Sequence, residues 1–240
     1  MDATTALAAM NPIHLQPTAQ LAERVLLPGD PGRALVLAQS LLEKPRMFNH
    51  NRGLWGYTGR AGDGEPLTVQ STGMGGPSAA IVISELAALG ARRLVRVGTC
   101  GAFACDLQLG ELVVVGESLA QDGASRALGA GERAAADAAL LGALARASGG
   151  APRTVVSTDL FYEVDHSRQQ AWKAGGAAAV EMECATLFTL ARMHGLRAAA
   201  LLVVSDLLAE PPVRIEAEDL RRAERRMGEV ALLALAPPVR

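Results

Sequence analysis

Short apolar runs that read as strands alternate with longer stretches of helical periodicity along this chain, and the joints between them are rich in glycine. Val25-Leu26-Leu27 runs into Pro28-Gly29-Asp30-Pro31-Gly32-Arg33 and a helical pattern over 34–42. Residues 54–60 and 67–71 read as strands about the turn Gly62-Asp63-Gly64. The second strand leads through Gly73-Met74-Gly75-Gly76 to a helix over 77–89, ended by Gly90. A strand over 94–97 enters a Gly98-Thr99-Cys100-Gly101 loop, 112–115 is another strand, and 134–147 is a helix stopped by Gly149-Gly150. A strand over 154–157 precedes a helix near 168–174. Residues 178–182 lead to a helix ending at Gly195, 198–204 is a buried strand, and a charged helix follows. Parallel strands need crossover helices, which cover the faces of the sheet, so this alternation predicts an α/β fold with a parallel or mixed sheet. No break in composition interrupts it, and a single domain over 1–240 is expected.

Composition narrows the function classes. Half the 240 residues are hydrophobic and 20% are charged, a balance that disfavours disorder. A net charge of -2 supplies no basic stripe for duplex nucleic acid, and 3% aromatic residues are too few for a base-stacking platform. The longest apolar stretches are too short to span a bilayer, and residues 1–10 lack a basic segment, with Asp2 where a leader would carry Lys or Arg. Three cysteines (Cys100, Cys105 and Cys184) follow no disulfide framework, which predicts a reducing compartment and a cytoplasmic protein. No paired-ligand spacing recurs around them, so small buried residues are favoured over a metal site.

Four groups could do chemistry. Gly29 to Arg33 opens a helix after a strand, where exposed amides and Arg33 would suit an anion; a plain turn with a surface Arg is the alternative. Gly73 to Ser78 invites a dinucleotide reading but fails it: Ser78 stands where a glycine is needed, and the next strand carries Arg96 rather than a ribose-binding acid. Arg96 lies between apolar neighbours, so its guanidinium must meet a carboxylate or a bound anion. With Thr99 and loop amides its planar fork would match two oxygens of a tetrahedral oxyanion; a structural ion pair is the alternative. Val180-Glu181-Met182-Glu183-Cys184 offers carboxylates to sugar hydroxyls and a polarisable Met to a ring, or else acids at a helix start. Ser205-Asp206 ends the buried run, where ligands of open α/β sheets gather; Asp206 could be a buried general acid or a helix cap. An oxyanion pocket, a diol-binding acid and a proton donor are together what phosphorolysis of a nucleoside requires.

These segments (HLQPTAQLAERVLLPGDPGRA, NRGLWGYTG, STGMGGPS, LVRVGTCGA, STDLFY, VEMECATLFTLA and VVSD) stand in order from His14 to Asp206, within a likeness that runs on to the last helix. The chain resembles the hexameric purine nucleoside, methylthioadenosine and uridine phosphorylases. The resemblance implies a three-layer αβα fold with a mixed, partly barrel-like central sheet. It implies no metal or organic cofactor, inorganic phosphate as co-substrate, and a homohexamer built as a trimer of dimers with shared sites. By the same resemblance, phosphate would meet Gly29, Arg33, Arg96 and Thr99, with Arg52 reaching in from a neighbouring subunit. His14 would be lent to the neighbour's site near the ribose 5′ position. Met182 and Glu183 would hold ribose, Phe161 would pack on the base, Glu181 would line the pocket, and Ser205 with Asp206 would serve N7 of a purine, Asp206 as proton donor.

The branch rests on fewer residues. The Gln-x-Arg pair typical of uridine phosphorylases is missing from Glu163-Val164-Asp165-His166-Ser167, and Asp206 is present, so purine nucleosides are the expected substrates. Arg96-Val97-Gly98-Thr99 and Asp122-Gly123-Ala124-Ser125 resemble uridine phosphorylases, and VEMECATLFTLA and NRGLWGYTG resemble methylthioadenosine-accepting members; both activities stay as alternatives, as does a non-catalytic nucleoside-binding protein. The family's Arg after Asp206 has no clear counterpart, with Arg214, Arg221 and Arg222 as candidates.

Overall fold

The protein is described from a computed structural model over residues 11–236, so the leader expectation for residues 1–10 lies outside the described residues. The strands are β1 (Arg24–Leu27), β2 (Leu42–Asn49), β3 (Gly56–Ala61), β4 (Pro66–Gln70), β5 (Arg93–Ala102), β6 (Leu112–Gln121), β7 (Arg133–Ala135), β8 (Pro152–Thr158), β9 (Ala179–Glu181), β10 (Arg197–Leu207) and β11 (Val213–Arg214). The helices are α1 (Pro31–Leu41), α2 (Gly75–Leu89), α3 (Gly123–Ala127), α4 (Ala138–Ser148), α5 (His166–Ala174), α6 (Cys184–His194) and α7 (Ala217–Leu235).

All eleven strands join one mixed sheet. β5 pairs with β10, β10 with β6, β6 with β8, β8 with β9 and β9 with β5 again, which closes a five-stranded barrel. From β5 the sheet continues outward through β1, β4, β3 and β2. Successive side chains along the central strands point to opposite faces. Leu94, Ala198, Ala200 and Leu202 join the core under α2 and α6, whereas Val95, Val97, Ala199 and Leu201 join the core under α1, α4 and α7. This is the three-layer αβα arrangement with a mixed central sheet. β10 is buried from Ala198 to Val204, the continuous apolar run of a strand covered on both faces.

Several elements differ from the sequence reading, in which α3 and β11 have no counterpart. Residues 42–49 carry Glu43, Lys44, Pro45 and Arg46, which hide the alternation of a strand. β2 forms nevertheless as the outermost strand, paired only with β3 through two irregularities. Pro, charge and bulges are features of an edge protected from further pairing. The expected helix over 134–147 starts late: residues 133–135 pair with β6, and Asp137 caps α4 by accepting from the Leu140 amide at 2.9 Å. Gly98-Thr99-Cys100-Gly101 is strand rather than loop, because β10 pairs with it throughout, Gly98 opposite Leu202 and Gly101 opposite Asp206.

Candidate active site

On its other side β5 is paired with β1 as far as Arg96 and with β9 from Gly101 onward, which leaves a free stretch of strand edge between them. A cavity of about 920 Å³ opens there, within the usual size of a small-molecule site. Ten of the residues singled out from sequence line it: Gly29, Arg33, Arg96, Thr99, Phe161, Glu181, Met182, Glu183, Ser205 and Asp206. His14 and Arg52 do not.

Arg96 sits at the centre of a buried network. Its Nε donates to Glu181 Oε2 at 3.0 Å and its Nη2 lies 2.5 Å from Glu183 Oε2. The fork expected to grip two oxygens of an anion is therefore engaged by carboxylates, and Nη1 is the guanidinium nitrogen with no hydrogen-bond partner among the described residues. Burial opposes the charge, but the facing Glu183 and Glu181 outweigh it and hold the Arg96 pKa above its ordinary value. Glu181 is the anchor: it also accepts from the amides of Glu183 (2.8 Å) and Cys184 (2.9 Å) at the start of α6 and from the Ser157 hydroxyl. Of the two roles weighed for the acids of this segment, sugar-hydroxyl binding and a place at a helix start, Glu181 takes the second, and its side chain also borders the cavity. Glu183 Oε1 accepts from the Gly75 amide at 2.6 Å, tying the start of α2 to the network, and the carboxylate retains lone pairs for a further donor. Burial pushes the Glu183 pKa up, Arg96 opposing and Glu181 adding to the shift.

Gly98 makes room for this arrangement. It lies two residues from Arg96 on the same face of β5, and a Cβ there would stand 2.8 Å from Arg96 Nη2 and 2.9 Å from Cζ. Gly98→Ala is expected to displace the guanidinium and cost about 1–3 kcal/mol, the usual range for overpacking a filled interior. Denaturant unfolding of the two proteins checks it, an unchanged midpoint being the contrary result.

The first glycine-rich turn works differently from its expected form. Asp30 caps α1 and its carboxylate accepts from the amides of Gly32 (2.9 Å) and Arg33 (3.1 Å), so those helix-start donors are taken and do not face an anion. Arg33 itself reaches the cavity. Its Nε is held at 2.6 Å by Glu224 of α7, a residue the sequence reading passed over, and its terminal nitrogens have no hydrogen-bond partner among the described residues.

At the far end of β5 the pairing with β10 slips between Val204 and Asp206, an irregularity that turns Asp206 into the cavity opposite Gly101. Its Oδ2 accepts from the Ser205 hydroxyl at 2.7 Å and its Oδ1 from Arg214 Nε at 2.9 Å. β11 pairs Arg214 with Asp206, so Arg214 is the arginine beside this acid, while Arg222 is engaged with Glu218 and Asp219 on α7. The Asp206 side chain is 22% exposed, less enclosed than the sequence reading assumed. Phe161 stands at the mouth, largely exposed and edge-on to Tyr162 at 5.0 Å between centroids. Phe103, Trp172 and Gln169, not singled out from sequence, complete the wall.

His14 and Arg52, 38 positions apart, share one patch outside this cavity. Asn51 Nδ2 donates to the His14 carbonyl at 3.0 Å, and the Gln16 amide to Asn49 Oδ1 at 2.9 Å. The patch is built on Glu85 of α2, also missed from sequence, whose buried carboxylate accepts from the amides of Ile13 (3.1 Å), His14 (3.1 Å) and Leu15 (2.6 Å) and lies 2.8 Å from His14 Nδ1. Burial alone would raise the Glu85 pKa, but these donors outweigh it and hold it below the ordinary value. Its stabilisation is thus present above the unfolded-state carboxylate range and lost as pH falls through the depressed folded value. Acid titration of thermal stability should show the gap between wild type and Glu85→Gln closing at low pH; a constant gap would contradict it.

Five acidic and three basic side chains line the cavity. No group of three or more His, Cys, Asp or Glu among the described residues is set to hold a metal ion, and no helix among them is long and apolar enough to cross a membrane.

Residues 23–236 match the model of the Phosphorylase superfamily. The chain is 36% identical over 221 residues to a DeoD-type purine nucleoside phosphorylase of Caldanaerobacter subterraneus subsp. tengcongensis, a match covering 88% of this chain and 94% of the relative. It is 39% identical over 198 residues to one of Alkaliphilus metalliredigens, covering 79% and 84%. A crystal structure of uridine phosphorylase from Vibrio fischeri matches with a TM-score of 0.79 at 28% identity, covering 90% of this chain and 92% of that one.

Proposed function

The chain belongs to the phosphorylase superfamily and is a pentosyl-transferring enzyme of the nucleoside phosphorylase kind, and we propose that it is a purine nucleoside phosphorylase. It would cleave purine ribo- and deoxyribonucleosides with inorganic phosphate to free base and (deoxy)ribose 1-phosphate. The observation that carries this reading is the pairing along β5. The Arg96 guanidinium and its carboxylates stand beside Gly98, and Gly101, opposite Asp206, lies three residues further on. That is about 10 Å of strand, which leaves space for a nucleoside between an anion and an acid.

In this reading a phosphate oxygen forms the new bond to the anomeric carbon as the bond from that carbon to the base nitrogen breaks. Arg33, Arg96 Nη1, Thr99 and the Gly29 backbone hold the phosphate, and positive charge develops on the sugar while it is bonded to neither partner. Glu183 accepts from the ribose 2′ and 3′ hydroxyls beside Met182, and its negative charge favours that oxocarbenium-like state. The electron pair of the broken bond enters the purine, and a proton delivered by Asp206 to N7 neutralises the leaving base. Arg214 and Ser205 orient that carboxyl group, Phe161 packs on the ring, and Glu181 keeps Arg96 in place. Acidic groups outnumber basic ones in the cavity, so a dianion needs a further cation. Arg52 from a neighbouring subunit supplies it, in a homohexamer whose protomers also exchange His14. No metal or organic cofactor has a role.

A second reading, uridine cleavage, is supported by the match to solved uridine phosphorylase. Initial rates for inosine, guanosine, adenosine, 5′-methylthioadenosine and uridine at saturating phosphate separate the readings. The purine assignment predicts a higher kcat/KM for purine nucleosides. A preference for uridine overturns it, and tight binding without turnover on any substrate points to a binding protein.

A further inference from the structure

Glu85 does more than fasten the chain. A buried carboxylate gathers three successive amides, those of Ile13, His14 and Leu15, and then spends the same Oε1 on the His14 imidazole, 2.8 Å from Nδ1. Three backbone amides fix where residue 14 lies; the fourth contact fixes which way its ring faces and which nitrogen carries the proton. An ionised carboxylate only accepts, so Nδ1 must donate, and a neutral imidazole then presents Nε2 as a lone pair. Nε2 has no hydrogen-bond partner among the described residues, and the His14 side chain is 29% exposed. A carboxylate behind one ring nitrogen, setting the chemistry of the other, is the arrangement that orients imidazoles in metal and catalytic sites.

We propose that Glu85 is the positioning residue for His14, holding Nε2 as an acceptor and so biasing the site His14 serves toward a nucleoside whose 5′ group is a hydrogen-bond donor, a hydroxyl rather than a thioether. This rests on the reading of His14 as the group near the ribose 5′ position. A hydroxyl satisfies the lone pair; a methylthio group has no proton to offer and leaves it unpaired. The same helix, α2, holds Glu183 through the Gly75 amide at its start, so one rigid element carries the 5′ device lent to the neighbour's site and part of the ribose site of its own chain.

Two measurements on the full chain test it. Nitrogen NMR of 15N-histidine protein at neutral pH, with His14 assigned by His14→Ala, reads the tautomer directly: protonated Nδ1 and bare Nε2 are expected in wild type, and the Nε2–H tautomer overturns the proposal whatever the enzyme's substrates. Kinetics at saturating phosphate then compare inosine with 5′-deoxyinosine. Glu85→Gln and His14→Ala are each expected to lower kcat/KM for inosine about three- to tenfold, the worth of one neutral hydrogen bond, and to leave 5′-deoxyinosine unchanged. The double variant should be no worse than either alone. Equal loss on both substrates in Glu85→Gln, or additive losses in the double variant, overturns positioning by Glu85. An unchanged ratio of the two substrates in His14→Ala instead overturns the reading of His14 itself and takes the 5′ preference with it.

Discussion

Asp206→Asn is expected to lower kcat for inosine by about 10²- to 10⁴-fold, the range for losing a positioned general acid. The substitution keeps the shape of the side chain and an oxygen for Arg214 Nε, now at 2.9 Å, while its NH2 replaces the oxygen that faces Ser205, whose hydroxyl can accept from it and donate to the Cys100 carbonyl. What it removes is the proton that, in the proposed reaction, a purine takes at N7. KM for phosphate should not move, because Arg33, Arg96 and Thr99 are untouched, and any cleavage of uridine, which has no N7, should be spared. Steady-state kinetics on both nucleosides decide it: equal loss on inosine and uridine would contradict the proton-donor role. Arg214→Ala is the companion, since it leaves the acid and removes one of the two groups that orient it.

Arg96→Ala carries the largest expected cost to the fold. Removing this cation leaves the buried carboxylates of Glu181 and Glu183 facing each other without a counter-charge. Breaking a buried ion pair from one side typically costs about 3–5 kcal/mol, because a charge is left desolvated and unpaired. Pairing with Glu183→Gln should recover part of the loss, whereas summed single losses would deny the coupling. Where the variant folds, phosphate use should suffer more than nucleoside binding. Denaturant unfolding with a phosphate titration reads both, and an unaltered phosphate KM would remove Arg96 from the anion site.

Much of this was legible because the strands are buried on both faces. The apolar runs at Val25-Leu26-Leu27, 94–97 and 198–204 have no competing interpretation when Gly-rich joints bound them. β2 was not legible, since an edge strand needs no apolar face and its Pro45 and charges read as loop. Glycines made 98–101 look like a loop, yet Gly98 is there to give Arg96 space inside a continuous strand. Within the site, a charge in the middle of an apolar strand announced a partner, and the partners proved to be the two acids suspected separately. Asp30 was the opposite case: its position at a helix start was visible, but not that its own carboxylate would take the amides offered to an anion. Glu85 and Glu224 stayed hidden among helical acids that normally face water. A signal was present: Glu85 falls three residues after Val82 and Glu224 three before Met227, so each lies on the buried stripe of its helix, where a lone acid needs a donor.

The most direct test of phosphorolysis is the product formed from inosine with and without inorganic phosphate. Hypoxanthine release that requires phosphate and matches ribose 1-phosphate mole for mole is the predicted result. Base release at the same rate without phosphate, with free ribose as the second product, would mean that water attacks the sugar, and the anion site proposed around Arg33, Arg96 and Thr99 would have no part in the reaction.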